Sequence, residues 1–147
     1  MKILSDQEMR EFGASIGAKL RGGEIIELIG DVGAGKTTLT KGIAEGLGVT
    51  DDVQSPSFTI QRSYNARDDL ILNHYDFYRL DDAGIMAQEI AESLQSPKNI
   101  TIVEWGESVR DILPVERIVV HINYLPDTGR EIIIEIPEKF TYLNESL

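Results

Sequence analysis

Gly30-Asp31-Val32-Gly33-Ala34-Gly35-Lys36-Thr37 spells G-x-x-x-x-G-K-T, the Walker A pattern of a phosphate-binding loop. Each residue type in it has a chemical use. The glycines let the backbone curl so that successive N–H groups point inward at phosphate oxygens. The helix that must follow contributes its unpaired N–H donors and the positive end of its dipole. Lys36 is spaced to reach the β- and γ-phosphates as a compact positive charge, and the Thr37 hydroxyl is spaced to serve Mg²⁺. The candidate nucleotide-binding residues are therefore Asp31, Val32, Gly33, Ala34, Gly35, Lys36, Thr37 and Thr38, with a nucleotide's phosphates and Mg²⁺ as the expected ligands.

A phosphate loop also needs an acid near its magnesium, ordinarily at the end of a buried strand beside the loop strand. Glu104 has that position, behind the apolar or β-branched run Ile100-Thr101-Ile102-Val103. Asp76 is the second acid of interest. It ends a strand-like run among His74, Tyr75, Tyr78 and Arg79, where a carboxylate can position a water or tune a metal site, or simply cap a turn. His74 reads more readily as a packed or hydrogen-bonded side chain than as a ligand. Trp105, directly after Glu104, suits either packing or closure over a nucleotide or partner. Ser55-Pro56-Ser57-Phe58 follows the phosphate-loop helix. In phosphate-loop switches this segment senses the γ-phosphate, though a proline-started turn explains it equally well.

These side chains need elements to hold them. Glu24-Ile25-Ile26-Glu27-Leu28-Ile29 reads as a buried strand entering the loop, and Leu39, Ile43 and Leu47 share one face of the helix leaving it. Upstream, Ser5 and Glu8 form a capping box before a helix carrying Met9, Phe12, Ile16 and Leu20, which Arg21-Gly22-Gly23 stops. Runs at 58–64 and 70–78 around the polar turn 65–69 suggest a hairpin. Asp81-Asp82 can cap a helix with Ile85, Met86, Ile90 and Leu94, which Ser96-Pro97 breaks. A strand at 99–103, a brief helix near Ser108 to Ile112, and a hairpin of 118–123 with 131–136 complete the pattern, and the last few residues are expected to fray. The sum is one α/β domain over residues 1–147. It has a P-loop NTPase-like fold: a central mixed sheet with parallel core strands plus antiparallel hairpins, flanked by helices.

Bulk properties narrow the function. The 147 residues suffice for a single core, and 41% hydrophobic content is ordinary for a globular chain. No apolar run approaches a membrane span, and the N-terminus turns acidic at once, so neither an anchor nor a secretory signal is expected. With no cysteine there is no disulfide framework or thiolate metal site, and a cytoplasmic address is the simplest fit. A net charge of -11 argues against gripping nucleic acid with the whole surface, so any nucleic acid should be held mainly by another subunit.

Taken together, Gly30 to Thr38, Ser55 to Phe58, His74-Tyr-Asp-Phe-Tyr-Arg-Leu80 and Ile102-Val-Glu-Trp105 resemble the TsaE (also called YjeE) ATPases, bacterial proteins of the machinery that makes threonylcarbamoyladenosine in tRNA. The order and spacing match over nearly the whole chain, and the His-x-Asp-x-Tyr-Arg-Leu block with the Glu-Trp pair gives the specificity. The resemblance implies that Lys36 holds phosphates, that Thr37 and Glu104 serve magnesium, and that Asp76 is needed for hydrolysis. It makes the catalytic set Lys36, Asp76 and Glu104. It also implies a nucleotide-responsive segment at Ser55 to Phe58, a functional Trp105, and an adenine site near the first helix and terminal strands, where Arg130 is the candidate contact. It further implies partners, TsaD and TsaB, with TsaD carrying the transfer chemistry and tRNA reached through them. Ser57 stands where the family usually has threonine, which keeps the hydroxyl, and the helix between Asp82 and Leu94 lacks the family's Gly-Leu pattern.

Two other readings of the residues stand beside a partner-stimulated ATPase. A small-molecule or nucleotide kinase would add an acceptor pocket and an arginine-bearing lid, whereas the arginines here are scattered. A binding module would use ATP only as a structural ligand.

Overall fold

The alternating apolar runs assemble one sheet. This computed structural model describes residues 1–54, 61–77 and 84–146. In chain order the strands are β1 (Lys2–Ile3), β2 (Ile25–Ile29), β3 (Gln61–Asn65), β4 (Ile71–Asp76), β5 (Asn99–Glu104), β6 (Ile118–Tyr124) and β7 (Arg130–Glu135), and the α-helices are α1 (Asp6–Gly17), α2 (Lys36–Gly46) and α3 (Ile85–Ser93). The seven-stranded sheet has the order β1-β7-β6-β2-β5-β4-β3. Strands β6, β2, β5 and β4 run parallel, with Ile26 opposite both Ile102 and Ile118. The antiparallel partners sit at the edges, β3 on β4 and β7 on β6, with β1 outside β7. The expected mixed sheet with parallel core strands is present.

The side-chain period of two splits the core between the sheet's faces. Ile26, Leu28, Leu72, Ile100 and Ile102 join Phe12, Ile16, Leu39 and Ile43 in one buried cluster, which places α1 and α2 on that face. Ile25, Tyr75, Phe77 and Val103 join Ile90, Val109 and Leu113 in the other, with α3. The helices α1 and α2 meet backbone to backbone along glycines. A Cβ on Gly13 would lie 2.5 Å from the Leu39 carbonyl oxygen, and one on Gly42 would lie 2.3 Å from the Arg10 carbonyl oxygen. Gly17 and Gly46 are equally confined, against Ile43 and Ala14.

Local signals mostly hold. Ser5 caps α1, accepting from the Glu8 N–H at 3.1 Å, while Glu8 reaches back to the Leu4 N–H at 2.7 Å. The brief helix expected near Ser108 to Ile112 is instead a 3-10 turn at Gly106–Val109, extended by bonds from Ile112 and Leu113 N–H to the Val109 carbonyl. Glu138–Ser146 forms 3-10 turns that bury Phe140 and Leu143. The Tyr142 hydroxyl there donates to the fully buried Glu24 carboxylate, which also accepts from the Arg21 and Gly22 N–H groups at 2.7 and 2.8 Å. Tyr142 is thereby held protonated, its pKa raised by burial and by the carboxylate it serves.

Candidate functional site

Strand β2 ends at Ile29 and α2 begins at Lys36, so the Walker A residues form the loop between them. Gly33 and Gly35 have φ of +81° and +116°, which only glycine adopts without strain, so the curl of the loop depends on them. Gly35 caps α2 without a side chain, and the first bond closing the helix is Leu39 N–H to the Gly35 carbonyl. The N–H groups of Lys36, Thr37 and Thr38 precede it and lack acceptors within the helix. A helix opening without a side-chain cap beneath a glycine-rich loop is the arrangement an oxyanion would complete.

Lys36 is 6% exposed. Its ammonium donates to the Gly30 carbonyl oxygen at 2.6 Å and lies 3.9 Å from the centre of the Trp105 ring. Burial pushes its pKa below the ordinary lysine value, and the Glu104, Asp76, Asp31 and Glu107 carboxylates partly pull it back. Trp105 itself has φ of +56°, a left-handed backbone that turns the chain sharply off the end of β5.

Register brings the two expected acids together: Asp76 stands directly opposite Glu104 at the carboxyl ends of β4 and β5. Both are buried, 6% and 4% exposed. The Glu104 Oε2 atom lies 2.5 Å from Nε2 of His74, which is fully buried. Thr37 is half-buried at the start of α2. Among the described residues no group of His, Asp and Glu could hold a metal unaided. The donors present, a threonine hydroxyl and carboxylate oxygens, are the hard oxygen set that Mg²⁺ shares with nucleotide phosphates, so they fit that ion when a nucleotide brings the rest.

Outside the loop, Arg130 opens β7 directly opposite Tyr124 at the end of β6. Its Nε donates to the Ala34 carbonyl oxygen at 3.2 Å, and its guanidinium carbon lies 4.2 Å from the centre of the Tyr124 ring. The Tyr124 hydroxyl donates to the Val32 carbonyl oxygen at 3.0 Å. The terminal hairpin thus braces the loop backbone at two carbonyls. Sequence reasoning missed Tyr124; the signal was an aromatic residue at the strand end facing Arg130 across a turn. Asp31, Val32 and Gly33 are exposed at the loop tip, and Ala34 is buried.

Two hollows flank the loop. One, of about 120 Å³, is bounded by Ser5, Met9, Gly33, Gly35, Thr128 and Arg130, between the start of α1 and the β6–β7 turn. The other, of about 430 Å³, is reached by Lys36 and is bounded by Gly30, Asp31, Trp105, Arg110 and Tyr124. Behind it lies a second feature the sequence did not announce. Glu27 on β2 is 1% exposed and accepts from Arg110 Nη2 at 3.2 Å and Arg117 Nε at 2.9 Å. The candidates Ser55, Pro56, Ser57 and Phe58, with Tyr78, Arg79, Leu80, Asp81 and Asp82, lie outside the described residues.

Comparison with known proteins gives a single answer. A family model described as threonylcarbamoyl adenosine biosynthesis protein TsaE matches residues 3–132. The tRNA threonylcarbamoyladenosine biosynthesis protein TsaE of Bacillus subtilis is 36% identical over 133 residues, covering 89% of this chain and 81% of its own. The protein of the same name from Treponema pallidum is 36% identical over 134 residues, covering 88% and 95%. A crystal structure of Bacillus subtilis YdiB superposes with a TM-score of 0.80 at 33% identity, covering 99% of this chain and 90% of that one. The phosphate loop, the paired strand-end acids and a match running through both place the chain in the TsaE family.

Proposed function

We propose that this chain is the ATP-binding, ATP-hydrolysing component of a tRNA threonylcarbamoyladenosine synthesis system, working with TsaD and TsaB proteins in the cytoplasm. Membership in the TsaE family carries the pathway. The observation that carries the chemistry is the opening of α2, without a side-chain cap, beside a buried lysine. No helix among the described residues is long and apolar enough to cross a membrane, and the net charge of -11 suits a subunit whose tRNA lies on a partner.

In this reading the loop N–H groups and Lys36 bind the phosphates, and the hollow beside Ser5, Met9 and Arg130 receives the adenine side. Thr37 and Glu104 would hold Mg²⁺, which supplies charge neutralisation across the β- and γ-phosphates. Asp76, opposite Glu104, orients the attacking water. Trp105 and the larger hollow lie on the side to which Lys36 extends.

The test is ATP hydrolysis by the full chain, alone and with TsaD, TsaB and tRNA. Slow hydrolysis that rises with the partners is expected; no turnover in either condition, with ATP bound, would leave only a binding module. Lys36→Ala should weaken nucleotide affinity about ten- to hundredfold, since a charged hydrogen bond contributes ~1.5–3 kcal/mol. Unchanged affinity and turnover in that variant would overturn the assignment.

A further inference from the structure

His74 is fully buried, yet its Nδ1 has no hydrogen-bond partner among the described residues. An unpaired polar atom in the interior costs the fold stability, and an apolar ring of similar size would avoid that cost. What the imidazole gains lies at its other nitrogen, 2.5 Å from Oε2 of Glu104. The strand pattern fixes this pair. Leu72, His74 and Asp76 alternate onto the face of β4 that carries α2, and Ile100, Ile102 and Glu104 do the same on β5. His74 stands opposite Ile102, one step before the Asp76–Glu104 pair, so its ring reaches diagonally to the Glu104 carboxylate.

We propose that His74 is a positioning residue for the magnesium-side carboxylate: its Nε2–H fixes Glu104 through one oxygen and leaves the second oxygen's lone pairs for the ion. This rests on the reading of Glu104 as a metal ligand given above. A ligand carboxylate free to rotate must be ordered each time an ion binds, and an outer hydrogen bond that has already ordered it raises affinity. The buried ring also supplies the donor that an ionised carboxylate, 4% exposed, requires.

The experiment measures Mn²⁺ affinity by electron paramagnetic resonance on the full chain saturated with a non-hydrolysable ATP analogue. His74→Phe keeps a ring and removes the donor, His74→Gln returns an N–H near the Nε2 position, and His74→Asn carries one too short to reach. Nucleotide affinity in EDTA and urea unfolding are measured alongside. His74→Phe and His74→Asn should weaken Mn²⁺ binding by about tenfold or more, with metal-free nucleotide affinity unchanged, and His74→Gln should recover most of the loss. Wild-type Mn²⁺ affinity in a folded His74→Phe protein would overturn the proposal. If that variant does not fold, equal affinities for the Gln and Asn variants would overturn it. Glu104→Gln separates the two levels. If it binds Mn²⁺ as wild type does, the metal assignment itself fails; if it binds weakly while His74→Phe does not, only the role of His74 fails.

Discussion

Lys36 rests on Trp105: its ammonium is 3.9 Å from the ring centre while bonded to the Gly30 carbonyl at the mouth of the loop. A cation over an indole face is stabilised by roughly 0.5–2 kcal/mol, less than phosphates offer the same ammonium. Nucleotide binding should therefore draw Lys36 away from the ring. Trp105 is the chain's sole tryptophan, so its fluorescence reports the event without a label. A saturable change in emission on adding ATP or a non-hydrolysable analogue is expected. Unchanged emission, with binding established by calorimetry, would show that the lysine stays on the ring.

The hairpin brace predicts a coupled pair. Tyr124→Phe removes the hydroxyl bond to Val32, worth ~1 kcal/mol, and Arg130→Ala removes both the bond to Ala34 and the stack on Tyr124. Each should weaken nucleotide affinity a few-fold, and because both restrain one loop, the double variant should lose less than the sum. Strict additivity by calorimetry would mean that the two braces act independently.

Glu27 and its arginines predict an asymmetry in stability. The carboxylate is 1% exposed, whereas Arg110 and Arg117 are 43% and 19% exposed. Replacing both arginines with methionine strands a buried charge and should cost ~3–5 kcal/mol, while Glu27→Leu removes that charge and lets the arginines turn to water at a smaller cost. Urea unfolding measures both. A Glu27→Leu protein less stable than the double arginine variant would reverse the argument.

Gly42→Ala sets two effects against each other. Alanine favours a helix by ~1 kcal/mol over glycine, but the added carbon would sit 2.3 Å from the Arg10 carbonyl oxygen, and overpacking costs ~1–3 kcal/mol or more. The clash is with backbone, which cannot rotate aside, so net destabilisation is expected by denaturant titration. A stabilised variant would mean that the two helices separate freely.

The sequence made legible what local chemistry encodes. The loop from Gly30 to Thr38, the Ser5 cap and the strand carrying Glu104 follow from neighbouring residues alone. The pairing of Asp76 with Glu104 was half legible: two strand-end acids were visible, but not that register sets them side by side. The Glu27 pair of arginines and the docking of Phe140 and Leu143 join residues distant along the chain, and nothing local reports them; Tyr124 facing Arg130 across a turn was visible, but not the loop carbonyls the pair holds. His74 shows the limit most clearly. A lone histidine on a strand reads as a packed or hydrogen-bonded side chain, and only the folded sheet names its partner, Glu104 on the neighbouring strand.

Strand β2, which feeds the phosphate loop, is flanked by β5 and β6, both from much later in the chain. During synthesis the loop therefore exists long before the walls that shape it, and contacts of such wide sequence separation are slow to form. A fragment that ends before β5 lacks both strands that flank β2. The loop gains its last braces only when β6 and β7, which carry Tyr124 and Arg130, have left the ribosome.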